Sequence, residues 1–173
     1  MKIWMEEETG VGPERLSQLE KAADLAAAGE GLDPQDLSLS LTLVSPEEIR
    51  ELNREHRQVD QVTDVLSFPL YEGAEEIRED IKAGIGAEID GAGEILLGDV
   101  IICEEKIRAQ AEEFGHTEER EMLYLFTHSV LHLLGHDHME EEEKGRMREA
   151  EEGVMDALGV PRRTDEITDM IED

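Results

Sequence analysis

The 173-residue sequence is short of cations, of cysteine and of long apolar runs, and each shortage removes a class of protein. Lysine and arginine number 16 against 45 aspartates and glutamates, for a formal net charge of −29. A surface this negative repels phosphate backbones at long range, which excludes sequence-independent, whole-surface binding to nucleic acid. Only a local basic site is left open. The cations are five Lys and 11 Arg, a balance that also fits work in concentrated salt; in that case added KCl, by screening self-repulsion, should raise the melting temperature. The single cysteine, Cys103, forms no internal disulfide, and no basic-then-apolar leader opens the sequence. A reducing cytoplasm is the expected setting. The most apolar window, Ile95 to Cys103, is interrupted by Gly98 and Asp99 and falls well short of the ~20 residues that span a bilayer. No membrane partner is expected. Neither an internal repeat nor a linker divides the chain, and 39% hydrophobic residues suffice for one core, so residues 1–173 read as a single domain.

Periodicity organises that domain. Leu16, Leu19, Ala23 and Ala26 recur at helical spacing between Pro13 and Ala28, and Gly29 and Gly31 end the run. Leu37, Leu39, Leu41 and Leu43 alternate with Ser38, Ser40 and Thr42, the period-2 mark of a strand with one buried face. Ser45-Pro46-Glu47-Glu48 supplies a cap, a first-turn proline and a capping-box glutamate, which predicts a helix from Pro46 to Arg57. Val65 to Leu70 reads as a strand. Residues 71–93, acidic and glycine-rich with Gly84, Gly86, Gly91 and Gly93, read as a surface excursion around a helical patch near Glu75 to Lys82. Leu97 to Ile102 is nearly continuous in apolar character, which predicts a mid-sheet strand buried on both faces. Helices are expected over Glu104 to Phe114, Glu118 to Leu134 and Glu140 to Leu158, before a polar tail over 159–173. With Met1 to Met5 as an edge strand, the fold class is α+β: about four short strands in a mixed sheet packed with about five helices.

The stretch that carries chemistry is Thr127-His128-Ser129-Val130-Leu131-His132-Leu133-Leu134-Gly135-His136-Asp137-His138. Four residues make about one turn of helix, so His128 and His132 project from one face and can share a metal ion. Gly135 tolerates the backbone that ends helices, which lets His138 approach the same point from outside. Three nitrogen ligands leave one tetrahedral position to water, the arrangement of a catalytic zinc site. A lone histidine is usually an ordinary core or surface residue; three at this spacing are hard to explain that way. His136 is open to three readings: a surplus ligand, an outer donor or an exposed side chain. Asp137 either orients a ligating imidazole or caps backbone groups. The spacing His-x3-His-x2-Gly-x2-His is also the ligand frame of the metzincin proteases, but Ser129 stands where those enzymes carry their glutamate base.

The same segment resembles the metal motif of the YbeY family, bacterial single-strand-specific endoribonucleases. Asn53-Arg54-Glu55-His56-Arg57 with Thr63-Asp64-Val65-Leu66-Ser67-Phe68-Pro69 is similar to the family's arginine segment and strand, and Gly98-Asp99-Val100-Ile101-Ile102-Cys103 to its central strand. The resemblance implies one Zn²⁺ held by His128, His132 and His138, and places Arg57 at the family's functional arginine. It also implies an α+β fold and a cytoplasmic role in maturing the 3′ end of small-subunit ribosomal RNA and in ribosome quality control. Single-stranded RNA, ribosomal RNA and the small ribosomal subunit or its proteins are then the expected partners, and DNA is not. His136 departs from the tyrosine common in the family, and the acidic excursion is longer than usual.

The expected mechanism is attack on a scissile phosphate, with the guanidinium of Arg57 stabilising charge on the non-bridging oxygens. Water and the ribose 2′-hydroxyl are rival nucleophiles. Arg50 and Arg54 lie on the same helical stripe as Arg57 and are candidate phosphate contacts, although Glu47 and Glu51 sit within pairing distance of them. The Glu140 to Glu143 run reads as a solvated helix start, and Cys103 as sheet packing. Two other functions stay in play. One is a metallohydrolase of another substrate class, such as a divergent peptidase; the other is a non-catalytic ribosome-assembly factor in which zinc is structural and His136 supplies a fourth ligand.

Overall fold

The computed structural model describes residues 1–6, 10–85, 93–137 and 139–160. Strand β1 (Lys2–Trp4) leads into helix α1 (Pro13–Gly29), and a short 3-10 turn (Pro34–Asp36) precedes β2 (Leu37–Val44). Helix α2 (Pro46–Arg57), β3 (Val65–Pro69) and α3 (Ala74–Ala83) follow, then β4 (Ile95–Cys103), α4 (Glu104–Phe114), α5 (Glu118–Leu133) and α6 (Glu141–Ala157). The sheet order is β1-β2-β4-β3. β1 and β4 run parallel to β2, while β3 is antiparallel to β4, so the sheet is mixed and β3 forms one edge. Among the described residues the α-helices number six, the sixth being the helical patch within the acidic excursion. Residues 86–92 of that excursion, with Gly86 and Gly91, lie outside the described residues, as do 161–173 of the tail.

Local chemistry accounts for most boundaries. Ser45 Oγ accepts the Glu48 N–H at 3.2 Å and Pro46 occupies the first turn of α2; Thr117 caps α5 by accepting the Arg120 N–H at 3.1 Å. Each cap contributes about 1 kcal/mol. β4 occupies mid-sheet, as its apolar run predicts, but it is not buried on both faces throughout, because Leu96 and Asp99 are exposed. Ser38, expected to face solvent, is buried and donates to the Ile95 carbonyl at 3.4 Å.

The main core lies on one face of the sheet, where Leu37, Leu39, Leu97 and Val100 meet Leu19 and Ala23 of α1, Phe126 and Val130 of α5 and Val154 of α6. Val44, Ile49, Leu66 and Cys103 form a smaller cluster on the other face, under α2. Full burial contributes roughly 1.5–3 kcal/mol for each such large aliphatic side chain. Gly98 lets β3, β4 and α5 close together: its φ is +147°, and a Cβ there would stand 2.2 Å from the Phe68 carbonyl oxygen and 3.0 Å from Leu133. The close approach sets α5 against the β3 edge. No helix among the described residues is long and apolar enough to cross a membrane.

Candidate metal centre and cleft

The helical spacing of His128 and His132 brings their Nε2 atoms to 3.2 Å, with the rings near perpendicular at 83°. Each Nδ1 is engaged elsewhere. His132 Nδ1 donates to the His136 carbonyl at 2.9 Å, and His128 Nδ1 donates to Glu151 Oε1 at 3.0 Å. Donation from Nδ1 fixes the tautomer that turns the Nε2 lone pair toward the neighbouring ring. Two ring nitrogens facing at this distance call for a cation between them, a proton in the metal-free pair or a metal ion in its place. Two nitrogens bound at ~2.05 Å to one tetrahedral ion stand roughly 3.3 Å apart, so the pair fits zinc. His138 lies outside the described residues, and among those described no three His, Cys, Asp or Glu side chains gather to hold a metal.

Glu151 is the one acid on the buried stripe of α6, between Met147 and Val154. Burial raises its pKa, but the hydrogen bond and charge of His128, together with the Tyr124 hydroxyl, outweigh burial and hold the carboxyl below its usual range. Tyr124 donates to Glu151 Oε2 and its ring stacks beside His128. An ionised carboxylate behind a ligating imidazole makes that imidazole a better ligand.

A cleft of about 960 Å³ opens over the pair, lined by Arg57, Leu66, Ser67, Leu70, Tyr71, Glu72, Glu76, His136, Asp137 and Met139 as well as both histidines. Arg57 ends α2, and Gln58 adopts a left-handed conformation (φ 59°, ψ 30°) that turns the chain away. The β3 edge forms one wall. Leu70 and Met139 stand on the lip, 61% and 77% exposed. Tyr71, which donates to Asp80 Oδ2 at 2.8 Å, has its pKa pushed up to about 12 by burial and that bond. It stays protonated.

Of the other expected site residues, Asp137 lines this cleft and an adjoining cavity of about 360 Å³. His136 turns its Nε2 to Glu30, so its contribution at the pair is the carbonyl. Arg50 and Arg54 do not line the cleft. Arg50 grips Asp60 through two bonds of 2.8 and 3.2 Å, not Glu47, and Arg54 meets Glu51 at 3.1 Å. Ser129 is fully buried and bonds Ser67 Oγ at 2.6 Å, a packing contact between α5 and β3. The sequence reading missed Glu151, Tyr124 and Glu30. Only Glu151 left a trace, as an acid at i+4 from Met147 and three before Val154 on an otherwise apolar stripe.

The family model described as Endoribonuclease YbeY matches residues 4–159. An Endoribonuclease YbeY of Clostridium botulinum (strain Eklund 17B / Type B) is 42% identical over 160 residues, covering 91% of this chain and 96% of the relative. Another, of Caldicellulosiruptor saccharolyticus, is 47% identical over 132 residues, 76% and 79% of the two chains. The solution structure of TM1509 from Thermotoga maritima shares the fold with a TM-score of 0.54 and 27% identity, over 96% of this chain and 99% of that one.

Proposed function

The chain belongs to the YbeY family of endoribonucleases, and from that premise we propose that it is a zinc-dependent endoribonuclease that cleaves single-stranded RNA in the cleft between α5, β3 and the end of α2. The observation that carries the metal is the 3.2 Å approach of His128 and His132 Nε2 with both Nδ1 protons engaged. His128, His132 and His138 would hold one ion. The chemistry such an ion supplies is Lewis-acid polarisation of a phosphoryl oxygen and easier ionisation of water near neutral pH.

The chain's own residues do the rest. Arg57, the cation that α2 delivers to the cleft, binds the non-bridging oxygens of the scissile phosphate, where a planar guanidinium matches their spacing and stabilises developing charge. Glu151 and the His136 carbonyl keep the two imidazoles oriented. Leu70 and Met139 offer apolar surface to unstacked bases, which favours single strands over a duplex. The acidic walls, Glu72, Glu76 and Asp137, keep intrinsic affinity low, so a partner that delivers the RNA is part of the proposal. The physiological setting proposed with it is cytoplasmic: maturation of the 3′ end of small-subunit ribosomal RNA and ribosome quality control.

Two features favour this reading over its rivals. Ser129, packed on Ser67, stands at the position where the zinc peptidases carry their glutamate base. His136 Nε2 is taken by Glu30 rather than closing a fourth coordination position, which favours an open site over a structural one. The test is incubation of the metal-loaded protein with single-stranded and duplex RNA, beside His132→Ala. Cleavage of the single strand by wild type alone supports the proposal; intact RNA with retained binding to ribosomal particles favours the assembly factor. Products with 2′,3′-cyclic phosphate ends identify the ribose hydroxyl as nucleophile.

A further inference from the structure

His136 follows Gly135, whose φ is +103° and whose missing Cβ leaves room for Gly73 and the Glu72 carbonyl; a Cβ would stand 2.7 Å from Gly73 Cα. The segment has left the helix, yet its carbonyl is the acceptor that orients His132. The His136 N–H donates to the Leu131 carbonyl at 2.9 Å. This bond holds the peptide that enters His136. The side chain adds a second tether, through a bond between Nε2 and Glu30 Oε1 that joins residues 106 positions apart. Glu30 caps the C-terminal end of α1, its own N–H bonded to the Ala27 carbonyl and the Gly31 N–H to that of Ala28, each at 3.0 Å. Its carbonyl accepts from Arg78 of α3. The carboxylate is therefore mounted on two helices, and it reaches the loop from outside the metal centre.

We propose that Glu30 is a positioning residue for the metal centre: its carboxylate anchors the His136 side chain so that the His136 carbonyl stays on His132 Nδ1. The inference rests on the metal-dependent reading above. It predicts a chain of dependence in which Glu30 acts only through His136, and His136 only through its carbonyl on His132. An ordinary surface ion pair in the same place would alter stability slightly and leave metal affinity untouched. Outer hydrogen bonds to a ligating histidine typically change metal affinity by 10–100-fold. Because the acceptor here is held indirectly, the lower end of that range is expected.

The experiment is zinc affinity by chelator competition, measured on wild type, Glu30→Ala, Glu30→Gln, His136→Ala and the double variant Glu30→Ala with His136→Ala. Glu30→Ala and His136→Ala should each weaken zinc binding about tenfold. Glu30→Gln, which still accepts from the imidazole, should stay near wild type, and the double variant should lose no more than either single change. If Glu30→Ala binds zinc as tightly as wild type, or if the two losses add in the double variant, Glu30 is not acting through His136. Wild type without zinc affinity overturns the metal reading together with this inference; intact wild-type affinity with an indifferent Glu30→Ala overturns the inference alone. Should Glu30→Ala fail to fold, His136→Ala against Glu30→Gln carries the same comparison: loss in the first with retention in the second supports it, and wild-type affinity in both contradicts it.

Discussion

Helix α5 contributes one member to each of two buried histidine–glutamate pairs that use the same chemistry to different ends. Just before its start, His116 Nε2 bonds Glu121, while His116 Nδ1 takes a bond from Arg120 at 3.1 Å. Arginine only donates, so Nδ1 accepts and Nε2–H donates, and both nitrogens are consumed within the chain. Further along, His128 spends only Nδ1 on Glu151 and turns Nε2 toward His132 and the cleft. The carboxylates differ accordingly. Burial raises the pKa of Glu121 and His116 only partly offsets it, with Asp64 adding to the rise; at Glu151 the histidine and Tyr124 win over burial and the pKa falls. A histidine–glutamate pair braces a fold when it closes on itself. It can offer a ligand to a metal when one ring nitrogen is left facing a second donor.

The contrast is broken most severely by truncating each histidine. His132→Ala should reduce RNA cleavage below detection in a gel assay, whereas His116→Ala should retain it and lower the melting temperature by several degrees, as loss of a buried hydrogen-bonded group of about 1–3 kcal/mol would. Arg57→Ala should lower kcat by roughly 10²–10³-fold, the cost of removing one charge-stabilising donor. Zinc content, read by metal analysis, should not change.

The glutamates sharpen the comparison with smaller effects. Glu151→Gln should weaken zinc binding about 10–100-fold in chelator competition while leaving the melting temperature of the metal-free protein near wild type, because glutamine keeps an acceptor for His128. Glu121→Gln should leave zinc affinity unchanged and alter only stability. Its sign follows from the raised folded pKa: the native state binds the proton more tightly than the unfolded chain, so stability is fully present below the ordinary carboxylate pKa and is lost as pH rises through the folded value. Urea denaturation across that window should show wild type losing stability relative to Glu121→Gln as the pH increases.

How much of this was legible in the sequence depended on the range of the interaction. Helix α2 begins at Pro46 and ends at Arg57, as expected, because a serine cap and a first-turn proline act within four residues. The pairing of His128 with His132 is equally local. Arg50 defeated its helical context: the left-handed Gln58 returns the chain so that Asp60, beyond the helix, takes the guanidinium instead of Glu47. Ser38 alternates like a solvent-facing residue, but its Oγ finds the Ile95 carbonyl on the neighbouring strand. Glu30 and Glu151 join the site from α1 and α6; Glu151 shows only as an acid on an apolar stripe, and in a chain of 45 acids no spacing distinguishes Glu30 from the solvated majority. His136 could be narrowed to three roles, and its side chain turns to Glu30, a partner 106 positions away that no local spacing announces.

The central claim is that the histidine pair of α5 holds the ion on which RNA cleavage in the Arg57 cleft depends. Its most direct test is cleavage of a single-stranded RNA by metal-stripped protein titrated with zinc, with His128→Ala alongside. Activity should be absent from the stripped protein, rise with zinc to saturation at one ion per chain, and stay absent from the variant. Equal cleavage before and after zinc addition, or zinc-restored cleavage by His128→Ala, would contradict the account.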